Sequence, residues 1–311
     1  MVTKVFIDGE HGTTGLQIQK RLAERSDFKL LSLDHTQRHN IDLRRDCLDQ
    51  TDIAILCLPD DVARETVHWL KNNKKIRIID SSTAHRVTPN WVYGFPEMTA
   101  GQKERIQAAH YVSNPGCYPT GAISLIRPLR EADLLDAYYP ISINAISGYT
   151  GGGKQLIAQM ENQSRQNEVL DNYFLYGLNL EHKHVPEIKI YGQINHTPIF
   201  LPSVGRFPQG MIVNIPLHRH LLTKSANCSD LREILENHYS GQNIISVASQ
   251  EETEALTKLN PECLAHKDGM KLFVFGNEHK GIFNLCALLD NLGKGAAAAA
   301  VQNLDLMLSE Y

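Results

Sequence analysis

Within its first fifteen residues the chain passes from a strand-like stretch, Lys4-Val5-Phe6-Ile7, into Gly9-Glu10-His11-Gly12-Thr13-Thr14-Gly15, and then into a helical pattern over Leu16 to Ala23. Few openings restrict a fold more. Glycine at every third position permits a tight bend and lets main-chain N–H groups approach a pyrophosphate at the positive end of the following helix. Glycine-rich turns are common, and it is the place of this one, at the first strand-to-helix junction, that points to a dinucleotide. The second strand is expected to end at Leu33-Asp34. An acidic residue there suits a ribose 2′-hydroxyl and hence NAD, whereas His35, Arg38 and His39 suit a 2′-phosphate and hence NADP. Both remain open at this point.

The rhythm persists through the first third of the chain. Leu30 to Leu33, Ile53 to Cys57, Ile76 to Ile79 and Tyr111-Val112 read as buried strands, while Val62 to Leu70 and Thr99 to Ala108 show helical spacing. Thr99 and Gln102 are spaced as a capping box for the last of these helices. Near-continuous apolar strands alternating with helices imply an α/β, Rossmann-type parallel sheet covered on both faces. After about residue 114 the pattern changes. Longer strands are expected at Pro140 to Ile146, Ile188 to Ile194, Met211 to Leu217, Leu272 to Phe275 and Phe283 to Leu289, which suggests an α+β domain with a mixed or antiparallel sheet. The alanine tract from Ala296, running on to Leu308, reads as a terminal helix with Gly293-Lys294-Gly295 leading into it.

Charge and cysteine usage narrow the function. A formal charge of −4 offers no basic face for a phosphate backbone, so nucleic acid is not an expected partner. No apolar run approaches the roughly 20 residues of a membrane span, and no basic-then-apolar leader opens the chain. The six cysteines (Cys47, Cys57, Cys117, Cys228, Cys263, Cys286) form no C-x-x-C pair, which suits free thiols in the cytoplasm. Cys117 stands apart from the other five. Ser113-Asn114-Pro115-Gly116-Cys117 lies where the fifth strand ends and a helix over Thr120 to Leu129 is expected. A thiol at a helix N-terminus has its pKa lowered by the dipole, and nearby main-chain N–H groups can hold a developing oxyanion.

Three further segments carry chemistry. His182-Lys183-His184-Val185-Pro186-Glu187 sets two imidazoles and a carboxylate just before a helix that Pro186 suits. One histidine can serve as general acid/base toward a thiol, with His184 favoured over His182; zinc binding and a solvated basic loop are the alternatives. Gly148 to Lys154 has the G-x-x-x-x-G-K spacing of a P-loop, but Gln155 replaces the Ser/Thr that would meet magnesium, so no nucleotide hydrolysis is expected. Arg206 can anchor a carboxylate or phosphate, or pair with an acidic side chain.

Asn114-Pro115-Gly116-Cys117-Tyr118-Pro119-Thr120-Gly121 resembles the active-site signature of the N-acetyl-γ-glutamyl-phosphate reductases, relatives of aspartate-semialdehyde dehydrogenase. The glycine turn is similar to the shorter type of that family, and the likeness continues through Asp80 to Arg86, Tyr93 to Glu97, Ser147 to Lys154, His182 to Glu187 and Asp290 to Ala297. Ala298-Ala299 departs from the Gly-Gln often found there. The resemblance implies NADPH-dependent reduction of an acyl phosphate through a Cys117 thioester, without a metal, in a homodimer or homotetramer. It places Gly9, Gly12, Thr13, Thr14, Gly15, Arg38, Ser81, Ser82, Asn291 and Gly295 on the cofactor. Asn114, Ser147, Glu187 and Arg206 are placed on the substrate. It further implies a dinucleotide-binding domain of residues 1–113 and 290–311, with residues 114–289 forming a catalytic and dimerisation domain. A related semialdehyde dehydrogenase, a non-catalytic nucleotide-binding redox sensor and a metal-dependent hydrolase are the competing expectations.

Overall fold

The computed structural model describes residues 2–161 and 169–309. The chain falls into two units, the first running to Pro96, taking in Ala100–Gly116 and resuming at Ala296. Its elements before residue 117 are β1 (Lys4–Asp8), α1 (Thr13–Leu22), β2 (Lys29–Leu31), α2 (Ile41–Asp49), β3 (Ile53–Leu56), α3 (Asp60–Trp69), β4 (Arg77–Asp80), β5 (Val92–Tyr93), α4 (Gln102–Ala108) and β6 (Tyr111–Ser113). The six strands pair in parallel throughout, in the order β2-β1-β3-β4-β6-β5. Strand side chains alternate between faces, so Val5, Ile7, Ile53, Ile55, Ile79 and Val112 join Ile18, Leu22 and Ile106 of α1 and α4 and Ala300, Leu304 and Met307 of the C-terminal helix in one core. Phe6, Ala54, Leu56 and Ile78 face the other way, against Leu48 and Leu70. Both faces are covered, as an all-parallel sheet requires.

Two buried arginines finish this unit. Arg44 grips Asp8 through Nε (3.0 Å) and Nη2 (2.8 Å), satisfying a carboxylate at the end of β1 that would be costly to bury alone. Arg77 donates to the carbonyls of Ala109 (2.9 Å) and Met307 (2.8 Å), and also to that of Gln107. These carbonyls lie at the C-terminal ends of α4 and the C-terminal helix, where a cation complements the dipole.

The second unit comprises Glu97–Thr99 and Cys117–Gly295. It contains α5 (Cys117–Glu131), β7 (Ser142–Gly148), α6 (Gly153–Met160), β8 (Tyr173–Leu175), α7 (Val185–Tyr191), β9 (Ile199–Gly205), β10 (Met211–His218), α8 (Cys228–His238), β11 (Ile245–Val247), α9 (Gln250–Glu254), β12 (Met270–Asn277) and β13 (Ile282–Leu289). The chain closes with α10 (Ala298–Leu308), already described in the first unit. The second sheet is mixed, in the order β11-β12-β13-β10-β7-β9-β8, with β11–β12 and β7–β9 parallel and the other pairs antiparallel. Helix α5 packs against β10 and β13. Contact is close enough that a Cβ on Gly121 would stand 2.7 Å from a methyl of Val213.

Several expectations are corrected here. Ile188 to Ile194 is not a strand: Val185–Tyr191 is helical, with Pro186 in its first turn. Ile188 is buried and Ile190 exposed, so the isoleucine spacing that imitated a strand reports one face of a short helix. The Thr99–Gln102 capping box does not form. Gly101, in a left-handed conformation (φ 75°), caps α4, and Thr99 Oγ1 instead donates to Glu131 (2.6 Å). Helix α5 begins at Cys117 rather than Thr120. Among the described residues no helix is long and apolar enough to cross a membrane.

Candidate active site

In the first unit the residues singled out by sequence follow the carboxyl ends of parallel strands, the edge where such sheets bind ligands. Gly9 has φ +89°, and a Cβ there would lie 2.4 Å from the Cys57 carbonyl oxygen; one on Gly15 would lie 2.3 Å from that of Gly9. Only glycine allows the turn to close this tightly. Gly12 caps α1 with no side-chain hydrogen bond, and the first turn, which carries Thr13 and Thr14, has no acidic residue. The helix thus begins with main-chain donors that no capping side chain or first-turn acid takes up, and this cradle fits a pyrophosphate. Glu10, which sequence reasoning passed over, is buried and braces the turn, accepting from Gln19 Nε2 (3.1 Å) and Ser32 Oγ (2.8 Å). After β2, Asp34 accepts from the N–H (2.8 Å) and hydroxyl (2.5 Å) of Thr36, bonds that hold its carboxyl below the usual range. Arg38 Nη1 donates to the His35 carbonyl (2.9 Å).

The second unit gathers the reactive groups. Cys117 is half-buried at the first residue of a 15-residue helix with no acid in its first turn, a place where the helix dipole favours a thiolate. The His182 and His184 rings lie 4.7 Å apart, and Tyr118 is 6.2 Å from the first and 6.0 Å from the second. Tyr176 stands edge-on to His182 at 5.6 Å, and Phe200 closes the group at 5.1 Å from that ring. Burial pushes the Tyr118 phenol up, with Tyr176 and Cys117 adding to the effect and Ser147 opposing it; Tyr176 is raised by burial, Tyr118 and Cys117 acting on it too. Ser147, expected on the substrate, therefore belongs to this group. Tyr176 and Phe200 were missed: no motif marks them, and only the packing of β8 and β9 brings them to the histidines. Burial pushes the Cys286 thiol up to about 12, and burial with Glu278 pushes Cys228 up to about 11, which disfavours the thiolate at both.

Four expected ligands are engaged elsewhere. The Arg206 fork is taken by main-chain carbonyls, Nη1 on Met160 (2.9 Å), Nε on Asp171 (3.3 Å) and Nη2 on Val169. Asn114 ties β6 to α10, its Nδ2 donating to Ala296 (2.9 Å) and its Oδ1 accepting from Asn303 (3.1 Å). Asn291 accepts from Gly210 N–H (2.9 Å) and donates to Thr150 Oγ1 (3.0 Å), within the second unit. The Ser82 hydroxyl is turned inward onto buried Asp80 (2.7 Å), which also meets His85 Nδ1 (2.6 Å), while Ser81 stays half-buried beyond the end of β4. Glu187 is buried on α7, close enough to Tyr191 to assist burial in raising that phenol to about 12. Lys154 is exposed, and Gly148 closes on the 207–210 turn rather than shaping a phosphate loop. Among the described residues no three His, Cys, Asp or Glu side chains cluster as metal ligands.

Comparison with known proteins sharpens this picture. Residues 4–108 match the family model described as semialdehyde dehydrogenase, NAD binding domain, and residues 117–291 match semialdehyde dehydrogenase, dimerisation domain. The chain is 59% identical over 310 residues, covering 100% of both sequences, to the N-acetyl-gamma-glutamyl-phosphate reductases of Brucella suis and Brucella anthropi. Among solved structures, aspartate semialdehyde dehydrogenase II of Vibrio cholerae complexed with ASA aligns with a TM-score of 0.78 at 16% identity, covering 100% of this chain and 99% of that one. The aspartate semialdehyde dehydrogenase of Candida albicans with NADP aligns at 0.68 and 14% identity, with the same coverage. At such identities these two speak for the fold alone.

Proposed function

The chain belongs to the N-acetyl-γ-glutamyl-phosphate reductases of the semialdehyde dehydrogenase family, and from that premise we propose that it reduces N-acetyl-γ-glutamyl phosphate to N-acetylglutamate 5-semialdehyde through a Cys117 thioester, in arginine biosynthesis. The carrying observation is Cys117 at the start of α5 with His182, His184 and Tyr176 gathered around the adjacent Tyr118. The thiolate attacks the acyl carbon, a sulfur–carbon bond forms, and the carbon–oxygen bond to phosphate breaks. Main-chain N–H groups of the first α5 turn stabilise the oxyanion on the way. Held at the Gly9 to Gly15 turn and the start of α1, a reduced nicotinamide cofactor would supply the hydride for the thioester. Collapse of the resulting hemithioacetal breaks the sulfur–carbon bond, returning the thiolate and releasing the aldehyde. Two easier steps replace one hard one.

His184 is the proposed proton acceptor. His182 Nδ1 already accepts the His184 main-chain N–H (3.1 Å), so a neutral His182 carries its proton on Nε2 and presents a donor, not a base. His184→Gln is expected to lower kcat about 1,000-fold, the middle of the range for a lost acid/base, and His182→Gln only about tenfold. The reverse order in kcat would exchange the two roles.

For the cofactor, engagement of Asp34 by Thr36 and the nearness of His35, Arg38 and His39 support NADP. The free thiols fit a cytoplasmic enzyme. Assembly as a homodimer or homotetramer draws support from the dimerisation model that matches residues 117–291. The decisive assay runs in reverse. N-acetylglutamate semialdehyde should give phosphate-dependent reduction of NADP, with NAD much slower and aspartate semialdehyde a poor substitute. Preference for aspartate semialdehyde would move the enzyme to the sister activity, and preference for NAD would reverse the cofactor choice.

A further inference from the structure

A closed ring of contacts surrounds the nucleophile within the second unit. The turn from Asp290 to Gly295 is shut by a hydrogen bond from Gly295 N–H to the Asp290 carbonyl (2.9 Å). The buried Asp290 side chain holds it from beneath, accepting from Leu292 N–H (2.8 Å), His266 N–H (2.5 Å) and Gln209 Nε2 (3.1 Å). Gly295 lies directly against the nucleophile, since a Cβ there would stand 2.8 Å from Cys117 Cβ. The next residue back, Lys294, is only 1% exposed and carries its ammonium to Glu97 Oε2 at 2.7 Å; Glu97 is 4% exposed. From Glu97 the chain continues to Met98, whose carbonyl accepts from His238 Nε2 (3.1 Å), and to Thr99, which donates to Glu131 (2.6 Å). Glu131, also held by Arg127 Nε (2.6 Å), is the last residue of the helix that Cys117 begins.

A buried ion pair is a poor source of stability, because apolar residues of similar volume do as well or better. What it supplies is a short, directional, charge-assisted bond that tolerates little displacement. Here that bond joins the turn behind Cys117 to a segment anchored on the far end of the nucleophile's own helix.

We propose that the Glu97–Lys294 pair is a positioning device for Cys117, locking the Asp290–Gly295 turn against the nucleophile's Cβ and so fixing the line along which sulfur meets the acyl carbon. This rests on Cys117 being the nucleophile. In this role the two residues act through Gly295.

The test combines Lys294→Met, Glu97→Gln and the double variant, assayed for kcat, KM, thermal midpoint and the pH profile of Cys117 alkylation mapped by mass spectrometry. Each single change should lower kcat about 100-fold, the scale of a misplacement of roughly 1 Å, with KM within threefold. The double variant should lose no more than the worse single one, because the pair acts as a unit. Lys294→Met, which removes the buried cation and leaves the Glu97 carboxylate without it, should move the alkylation midpoint upward by at least about half a pH unit. Wild-type kcat in either single variant overturns the proposal, as do multiplicative losses in the double. A kcat loss with an unmoved alkylation profile and a collapsed thermal midpoint assigns the pair to stability alone and overturns it too. Should a lone buried charge prevent folding, the double variant still folds without one and must show the kcat loss at unchanged KM. Failure of the underlying reading looks different, since Cys117→Ser would then stay active whatever the pair does.

Discussion

Cys117→Ser is expected to leave a folded protein that binds cofactor normally and reduces acyl phosphate at least about 10,000-fold more slowly, as loss of a covalent nucleophile does elsewhere. The substitution is nearly isosteric, and the side chain is only half-buried at the start of α5, so packing changes little. The chemistry changes completely. A thiol at a helix N-terminus loses its proton within reach of neutral pH, whereas a serine hydroxyl at the same place stays protonated and depends on a base to become a nucleophile. Steady-state rates, a cofactor titration and a search for acylated Cys117 by mass spectrometry check the three parts separately. A serine enzyme within tenfold of the parent would end the thioester mechanism. An inactive variant that has also lost cofactor affinity would mean that the change acted on the fold.

Much of this was legible from the chain because local pattern and tertiary role agree. The apolar strands of the first unit read correctly because both of their faces are buried, and Gly9 to Gly15 could be placed because one strand and one helix flank it. Strand β9 was not visible: Pro202 sits within Ile199–Gly205, and proline argues against a strand paired on both sides. Ile188 to Ile194 misled for the opposite reason, a two-residue spacing produced by chance on a seven-residue helix. At the site, residue type fixed the chemistry but not the partner. An arginine fork suits carbonyls as well as carboxylates, so Arg206 read as either an anchor or half of an ion pair, and the structure sets it on main-chain carbonyls. Tyr176 and the Glu97–Lys294 pair join segments remote in sequence, and neither periodicity nor motif spacing carries that information.

Gly15→Ala opposes two effects of known size and is expected to go against helix propensity. Gly15 lies in the first turn of α1, where alanine is favoured by about 1 kcal/mol over glycine in a helix interior, so propensity alone predicts stabilisation. The added methyl, however, would stand 2.3 Å from the Gly9 carbonyl oxygen and 2.8 Å from Glu10 Cα. Both are main-chain atoms. They cannot rotate away, and Gly9 is itself pressed against the Cys57 carbonyl at a φ of +89° that L side chains rarely adopt. Overpacking of a tight contact typically costs about 1–3 kcal/mol, which exceeds the propensity gain. Relief must come from shifting the Gly9 to Gly12 turn, and that shift moves the donors proposed for the pyrophosphate. NADPH affinity should therefore fall about 100-fold, or roughly 2.7 kcal/mol, measured by fluorescence titration. The thermal midpoint should fall as well, while the rate and pH profile of Cys117 alkylation stay those of the parent, because that thiol is set by contacts of the second unit. Unchanged or tighter cofactor binding would show that the glycine turn is a structural bend and that the dinucleotide's phosphates lie elsewhere.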